Sequence, residues 1–151
     1  MSRQEESNLT LRLYEIRSSE KLREARFWFT THFNPQSAEE IAALMASGNR
    51  QSAFYRMVTT YWDMACAFVV FEAIDEKFFH ATQTEYLAVF AKLEPFIAEL
   101  RQIFGLPDYL ENLERVARNA PNAEDYFIKI RGLMSRWNEA EKQTENDRKK
   151  F

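Results

Sequence analysis

The sequence predicts an all-α fold, a bundle of six to seven helices, on three observations. Apolar residues recur every three to four positions, no stretch alternates with the period of a β-strand, and only 3 Gly and 4 Pro interrupt the 151 residues. Hydrophobic residues make up 46% of the chain, which excludes a disordered polypeptide and is enough for one core. We therefore expect a single helical domain over residues 1–137, followed by a polar, frayed tail at 138–151.

Four helices are predicted in the first half of the chain, over residues 9–16, 19–33, 37–47 and 51–79. Each has an apolar stripe at helical spacing, and the breaks coincide with serine, proline and glycine residues that cap or end helices. The fourth helix is apolar nearly all round, so we expect it at the centre of the fold.

Three further helices are predicted in the second half, over residues 82–104, 107–116 and 122–137. Pro95 lies within the first of these, where it removes an amide donor and should kink the helix. Because the loop at 80–83 is short, residues 51–104 are expected to form a long antiparallel helix hairpin at the centre of the bundle.

The charge is unevenly distributed along the chain. Lys and Arg total 20 against 23 Asp and Glu, a net charge of −3, which argues against a nucleic-acid-binding protein with its usual basic surplus. Residues 63–99 hold seven acids against two bases, which gives this segment a charge of −5. We therefore expect any functional site to lie on the central hairpin.

The sequence lacks the common catalytic motifs. It contains no Gly-rich phosphate loop, HExxH, CxxC or GxSxG sequence, and its one cysteine, Cys66, cannot form an internal disulfide.

The polar N-terminus has no apolar signal segment, and no apolar run reaches the ~20 residues that span a bilayer. We expect a cytoplasmic protein that uses no cofactor and does not act on membranes. A non-enzymatic role is favoured, and an enzyme stays open.

Acidic residues on the predicted hairpin are the candidates for metal binding. Glu72 falls on the apolar face of its helix, where a carboxylate needs a partner or a metal ion. The candidate ligands are Glu72, Glu76, Glu94 and His80, but the paired Glu-x-x-His motifs of di-iron bundles are missing. We favour a structural ion pair or a polar rim over a metal site here.

The candidate ligand-binding residues are Glu72, Arg101 and Asp63. Folding the hairpin about its loop places Asp63 beside Arg101, which predicts a salt bridge because an Arg fork can hold a carboxylate with two hydrogen bonds. Arg101 is also suited to binding a small anionic ligand.

Aromatic residues make up 15% of the chain, and half of them adjoin another aromatic residue. Three consecutive rings, Phe27-Trp28-Phe29, span ~200° of a helix, so one of them must point away from the buried stripe. Either the core is many-sided or the rings form an exposed patch that binds a partner. Phe27, Trp28, Tyr55 and Trp62 are the candidate interface residues for a homodimer or another protein partner.

Two segments resemble a bacterial family of domains of unknown function. One is residues 18–26, a serine-led turn followed by a helix with an Arg-Glu-Ala-Arg element. The other joins Phe71-Glu72 to Leu93-Glu-Pro95 and ends at Arg101. The resemblance covers residues 10–117 and implies an all-helical bacterial protein of unassigned activity. It supplies no catalytic residues and adds weight to Glu72 and Arg101.

The sequence thus predicts a helical interaction module, without enzymatic activity, that forms a homodimer through aromatic helix faces. The alternative is a metal- or small-anion-binding protein, or an enzyme, with a carboxylate and arginine site on the central hairpin. The sequence identifies neither the ligand nor the partner.

Overall fold

A computed structural model describes residues 2–151 of the chain. These residues form nine α-helices and no strand, which confirms the all-α prediction and exceeds the predicted number of helices. The helices are α1 (Arg3–Arg17), α2 (Glu20–Thr31), α3 (Ala38–Ser47), α4 (Arg50–Val70), α5 (Glu76–Thr82), α6 (Glu85–Leu93), α7 (Ile97–Phe104), α8 (Glu111–Arg118) and α9 (Ala123–Lys149). Within residues 2–151, no helix has both the length and the apolar character that a membrane crossing requires.

Helix α4 lies at the centre of the fold, as its apolar composition predicts. It packs most extensively against α2 on one side and α8 on another, and it also contacts α3 and α6. Its largest side chains, Tyr55 and Trp62, are both fully buried. A helix that is apolar on several faces needs a neighbour on each of them, and the bundle supplies those neighbours.

The predicted long hairpin over residues 51–104 is wrong, because α4 ends at Val70. Glu72 adopts the left-handed backbone conformation with φ 62°, and the Ala73 amide donates to the Phe68 carbonyl at 2.7 Å. This pattern is a Schellman helix end, formed here without the usual glycine. Asp75 then caps α5. The chain therefore turns after α4, and α6 packs mainly against α9.

The predicted kink at Pro95 is confirmed. A short 3-10 segment at Glu94–Phe96 separates α6 from α7, because proline cannot donate the hydrogen bond that would continue the helix. The two breaks, after α4 and at Pro95, account for the larger number of helices.

Helix α9 extends to Lys149 and so includes most of the segment 138–151, for which we expected a polar tail. Asn138 in this segment is buried. Fraying of the last turns in solution stays a prediction.

Helix α8 begins without a capping side chain of its own, since Leu110 occupies its N-cap in a left-handed conformation. Asp63 of α4 takes that role from outside the helix. One carboxylate oxygen accepts the Leu113 amide at 2.9 Å, and the other lies 3.4 Å from the side-chain amide of Asn112. This carboxylate satisfies an amide at the start of α8 that has no partner within the helix.

The predicted salt bridge between Asp63 and Arg101 is therefore wrong. Arg101 binds Glu114 at 2.8 Å and donates to the Tyr109 carbonyl at 2.9 Å. The prediction assumed a register set by two long antiparallel helices. The break after α4 removes that register, and Asp63 instead accepts a hydrogen bond from the start of α8.

We predict that Asp63→Ala lowers the free energy of unfolding by about 1–2 kcal/mol, the usual cost of removing an N-cap. Urea denaturation followed by circular dichroism measures the loss. Glu99→Ala is the matched control, because Glu99 is an exposed acid on α7 with no ion pair among the described residues. Equal effects of the two substitutions would contradict the capping role.

Candidate functional site

Lys92 is a buried cation in an otherwise apolar helix. Residues 86–93 of α6 are all buried, and Lys92 is only 9% exposed. A buried ammonium group is very costly unless hydrogen bonds replace its hydration. Its Nζ atom donates to the carbonyls of Phe29 and Phe33, both at 2.5 Å.

The Phe29 carbonyl belongs to the last turn of α2, where helix carbonyls lack partners and carry partial negative charge, and the Phe33 carbonyl directly follows the C-cap residue His32. The Lys92 ammonium thus caps the end of α2 from α6. Nζ also lies 5.4 Å and 5.7 Å from the ring centres of Phe29 and Phe33, within the range of cation–π attraction. Burial nevertheless lowers the pKa of Lys92 to about 7, because it disfavours the charged form.

A cavity of about 140 Å³ opens beside Lys92. Its polar lining comes from Asn34, Lys92, Arg131 and Ser135, and the remaining lining residues are apolar. No carboxylate lines it in the part of the chain that the structure describes. The lining of the cavity therefore includes two basic side chains, Lys92 and Arg131, and no acidic one.

Arg131 of α9 is the second basic residue that lines the cavity. Its Nη1 donates to the Ala91 carbonyl at 2.8 Å and lies 3.3 Å from Glu94. Glu94 also binds Arg118 at 2.8 Å. Arg131 is therefore held through one nitrogen, and α9 is tied to the end of α6.

The four predicted metal ligands do not form one site. Glu72 and Glu76 line a cavity of about 440 Å³ beside α5, and Glu72 is exposed on the helix end described above. His80 Nε2 lies 3.4 Å from Glu76, and its Nδ1 bonds to the Tyr86 hydroxyl. Glu94 belongs instead to the ion pairs around Arg131. Their grouping assumed two continuous helices, whereas α4 ends at Val70. The sequence itself favoured an ion pair or a polar rim over a metal site for these residues.

The candidate ligand residues do not bind one another. Asp63 and Arg101 both contact the start of α8, Asp63 through the Leu113 amide and Arg101 through Glu114. Glu72 lies on the surface beside α5. A ligand role for these residues stays a prediction.

Two of the four candidate interface residues cannot form a surface, because Tyr55 and Trp62 are in the core. Their polar tips have partners inside the chain: Tyr109 for the Tyr55 hydroxyl and Glu85 for the Trp62 indole. Trp28 is partly buried against the core, whereas Phe27 is 54% exposed. Homodimer formation stays a prediction.

The comparison with protein families identifies the family of the chain. The model of a domain of unknown function, DUF4760, matches residues 5–120. The chain belongs to the DUF4760 family. No curated protein and no solved structure matches it.

The DUF4760 match confirms the resemblance to a family of domains of unknown function, and a bacterial origin stays a prediction. The matched residues include Asn34 and Lys92, whereas Arg131 and Ser135 lie beyond them on α9. The cavity therefore forms where the family's matched region meets α9.

Sequence reasoning missed Lys92, although a signal was present. Lys92 is the one charged residue between Tyr86 and Leu93, in a run that is apolar on every face. Such a helix has no solvent-facing side for a charged group. The lysine must therefore be buried, or its side chain must extend to the end of the helix.

We predict that protein stability depends on the titration of Lys92. Its pKa is about 7 when folded and has its ordinary value near 10.5 when unfolded, so the unfolded chain binds more protons between these values. Stability should therefore rise with pH across this window, by at most about 1.4 kcal/mol per pH unit.

Urea denaturation of the wild type and Lys92→Met between pH 6.5 and 9.5 isolates this contribution. As pH rises, the free energy of unfolding of the wild type should increase relative to that of Lys92→Met. Lys129→Met, at an exposed position on α9, is the control. A pH-independent difference between wild type and Lys92→Met would show that Lys92 does not titrate in this range.

Proposed function

We propose that this DUF4760 chain binds a small anion in the cavity beside Lys92. The observation that carries the proposal is the pair of cations, Lys92 and Arg131, on a cavity whose described lining contains no acid. Glu94 already pairs with Arg131, whereas Lys92 has no ion pair among the described residues, so an anion there would supply the counter-charge that Lys92 lacks.

Both cations have donors to spare for a ligand. An ammonium group has three N–H bonds, and the two carbonyls at the end of α2 take two of those of Lys92. Arg131 bonds through Nη1 alone within residues 2–151, which leaves Nε and Nη2 for a ligand. A guanidinium edge fits a carboxylate or a phosphate with two parallel hydrogen bonds.

The size and lining of the cavity limit the ligand to a small one. The cavity volume of about 140 Å³ is well above the ~10–15 Å³ that a single water molecule needs on the same measure, so it can hold a small ligand. Asn34 and Ser135 offer neutral hydrogen bonds, and Phe96 and Met134 offer apolar contact. Inorganic phosphate or a short carboxylate fits these dimensions.

Anion binding should be coupled to proton uptake. Lys92 is partly neutral near pH 7, and a bound anion favours its charged form. The affinity should therefore increase as pH falls from 9 to 6.

A homodimerising interaction module is less well supported than anion binding. Two of the rings that suggested an interface, Tyr55 and Trp62, are buried in the core. Phe27 remains exposed, but a single ring does not define a partner.

Isothermal titration calorimetry with inorganic phosphate and with acetate, at pH 6.5 and pH 8.5, tests the proposal. We expect binding of one equivalent of at least one of these anions, tighter at pH 6.5. Lys92→Met and Arg131→Gln should each weaken binding about tenfold or more, the loss of one charge-assisted contact.

Arg136→Gln is the matched control, since Arg136 is exposed on α9 and does not line the cavity. The proposal fails if neither anion binds, or if Arg136→Gln weakens binding as much as Arg131→Gln does. Arg131→Gln keeps the test valid even if Lys92→Met is poorly folded.

A further inference from the structure

A second cluster of polar side chains lies at the other side of the end of α2. His32 occupies the C-cap of α2, and its Nε2 lies 3.4 Å from Glu141 Oε1 and 3.8 Å from Glu145 Oε1. One ligand atom from each residue lies within 4.8 Å of the other two. We propose that His32, Glu141 and Glu145 bind a divalent transition-metal ion, with Zn²⁺ as the simplest case.

The buried face of α9 places both carboxylates towards His32. Its core-facing positions are Ala123, Phe127, Ile130, Met134 and Asn138. Steps of three and four residues continue this stripe to Glu141 and Glu145. The inner face of α9 thus changes from apolar to acidic where it passes the end of α2.

A neighbouring hydroxyl fixes the orientation of the imidazole. Thr31 Oγ1 donates to the Phe27 carbonyl at 2.6 Å, so the same oxygen is left to accept the hydrogen bond from His32 Nδ1 at 3.0 Å. In a neutral ring with its proton on Nδ1, the Nε2 lone pair faces the two carboxylates. A neutral imidazole nitrogen and two carboxylates at these distances repel each other, and either a proton on Nε2 or a metal ion relieves that repulsion.

The distances fit a small metal ion. Metal–ligand bonds of ~2.0–2.1 Å in a tetrahedral arrangement separate the ligand atoms by ~3.4 Å. The pair of His32 Nε2 and Glu141 has this separation, and the Glu145 oxygen lies 3.8 Å from Nε2 and within 4.8 Å of the Glu141 ligand atom, so a small movement of its side chain would complete the set. Glu145 is 48% exposed, so water can complete the coordination.

The chemistry of the ligand set selects the class of metal. One imidazole nitrogen and two carboxylate oxygens suit Zn²⁺ and other divalent first-row ions better than Mg²⁺ or Ca²⁺, which prefer all-oxygen sites. A hydrogen bond from the other ring nitrogen to Thr31 is the support that metal-binding histidines commonly have. This site does not depend on the proposed anion cavity, and either proposal can fail alone.

Competition of the wild-type chain with a chromophoric chelator for Zn²⁺ tests the site. We expect one bound equivalent, and His32→Gln, Glu141→Gln and Glu145→Gln should each weaken the affinity about tenfold or more. Glu139→Gln is the matched control, because Glu139 is exposed on the outer face of the same helix. It should bind as the wild type does.

Co²⁺ absorption provides a second readout that does not depend on stability. The wild type should show visible d–d bands, and His32→Gln should lose them. The proposal is overturned if no Zn²⁺ equivalent is retained, which would leave His32 as an ion-paired imidazolium. It is also overturned if His80→Gln, and not His32→Gln, abolishes binding, because the metal would then lie beside Glu76.

Discussion

The contact between the Lys92 ammonium group and the carbonyls of Phe29 and Phe33 joins the interior of the bundle to the end of α2. Because these carbonyls replace the water that Lys92 loses, α6 can be buried on all sides and α2 must end beside it. The chain that follows α2 contributes Asn34 and Pro35 to the cavity that Lys92 and residues of α9 also line. Both candidate sites follow from this arrangement: the anion cavity lies on the Lys92 side, and His32 lies on the side of Glu141.

The hydrogen bonds of the buried aromatic side chains explain how the core accommodates so many rings. The Trp62 indole donates to Glu85 at 3.1 Å, and Glu85 in turn binds Arg26 at 2.7 Å. The Tyr61 hydroxyl reaches the Leu13 carbonyl at 2.5 Å. Each polar tip thus has a partner, so these rings can be buried without the cost of an unsatisfied group. A many-sided core therefore accounts for most of the paired aromatics.

The helical class, the central place of α4 and the break at Pro95 were predictable from the sequence, because they depend on apolar periodicity and on the missing amide of proline. The end of α4 was not, because Glu72 adopts a left-handed conformation that sequence patterns associate with glycine. That one backbone angle changed the register on which the predictions for Asp63, Arg101 and Glu94 depended. The anion cavity and the cluster at His32 join residues from helices far apart in sequence, and no spacing rule brings them together.

Side-chain NMR of Lys92, assigned by comparison with Lys92→Met, tests the central claim most directly. In the free protein its ¹³Cε and ¹⁵Nζ resonances should titrate with a pKa near 7, and saturating phosphate should move that pKa upwards. A pKa near the ordinary 10.5, unchanged by phosphate, would contradict both the buried cation and the anion site.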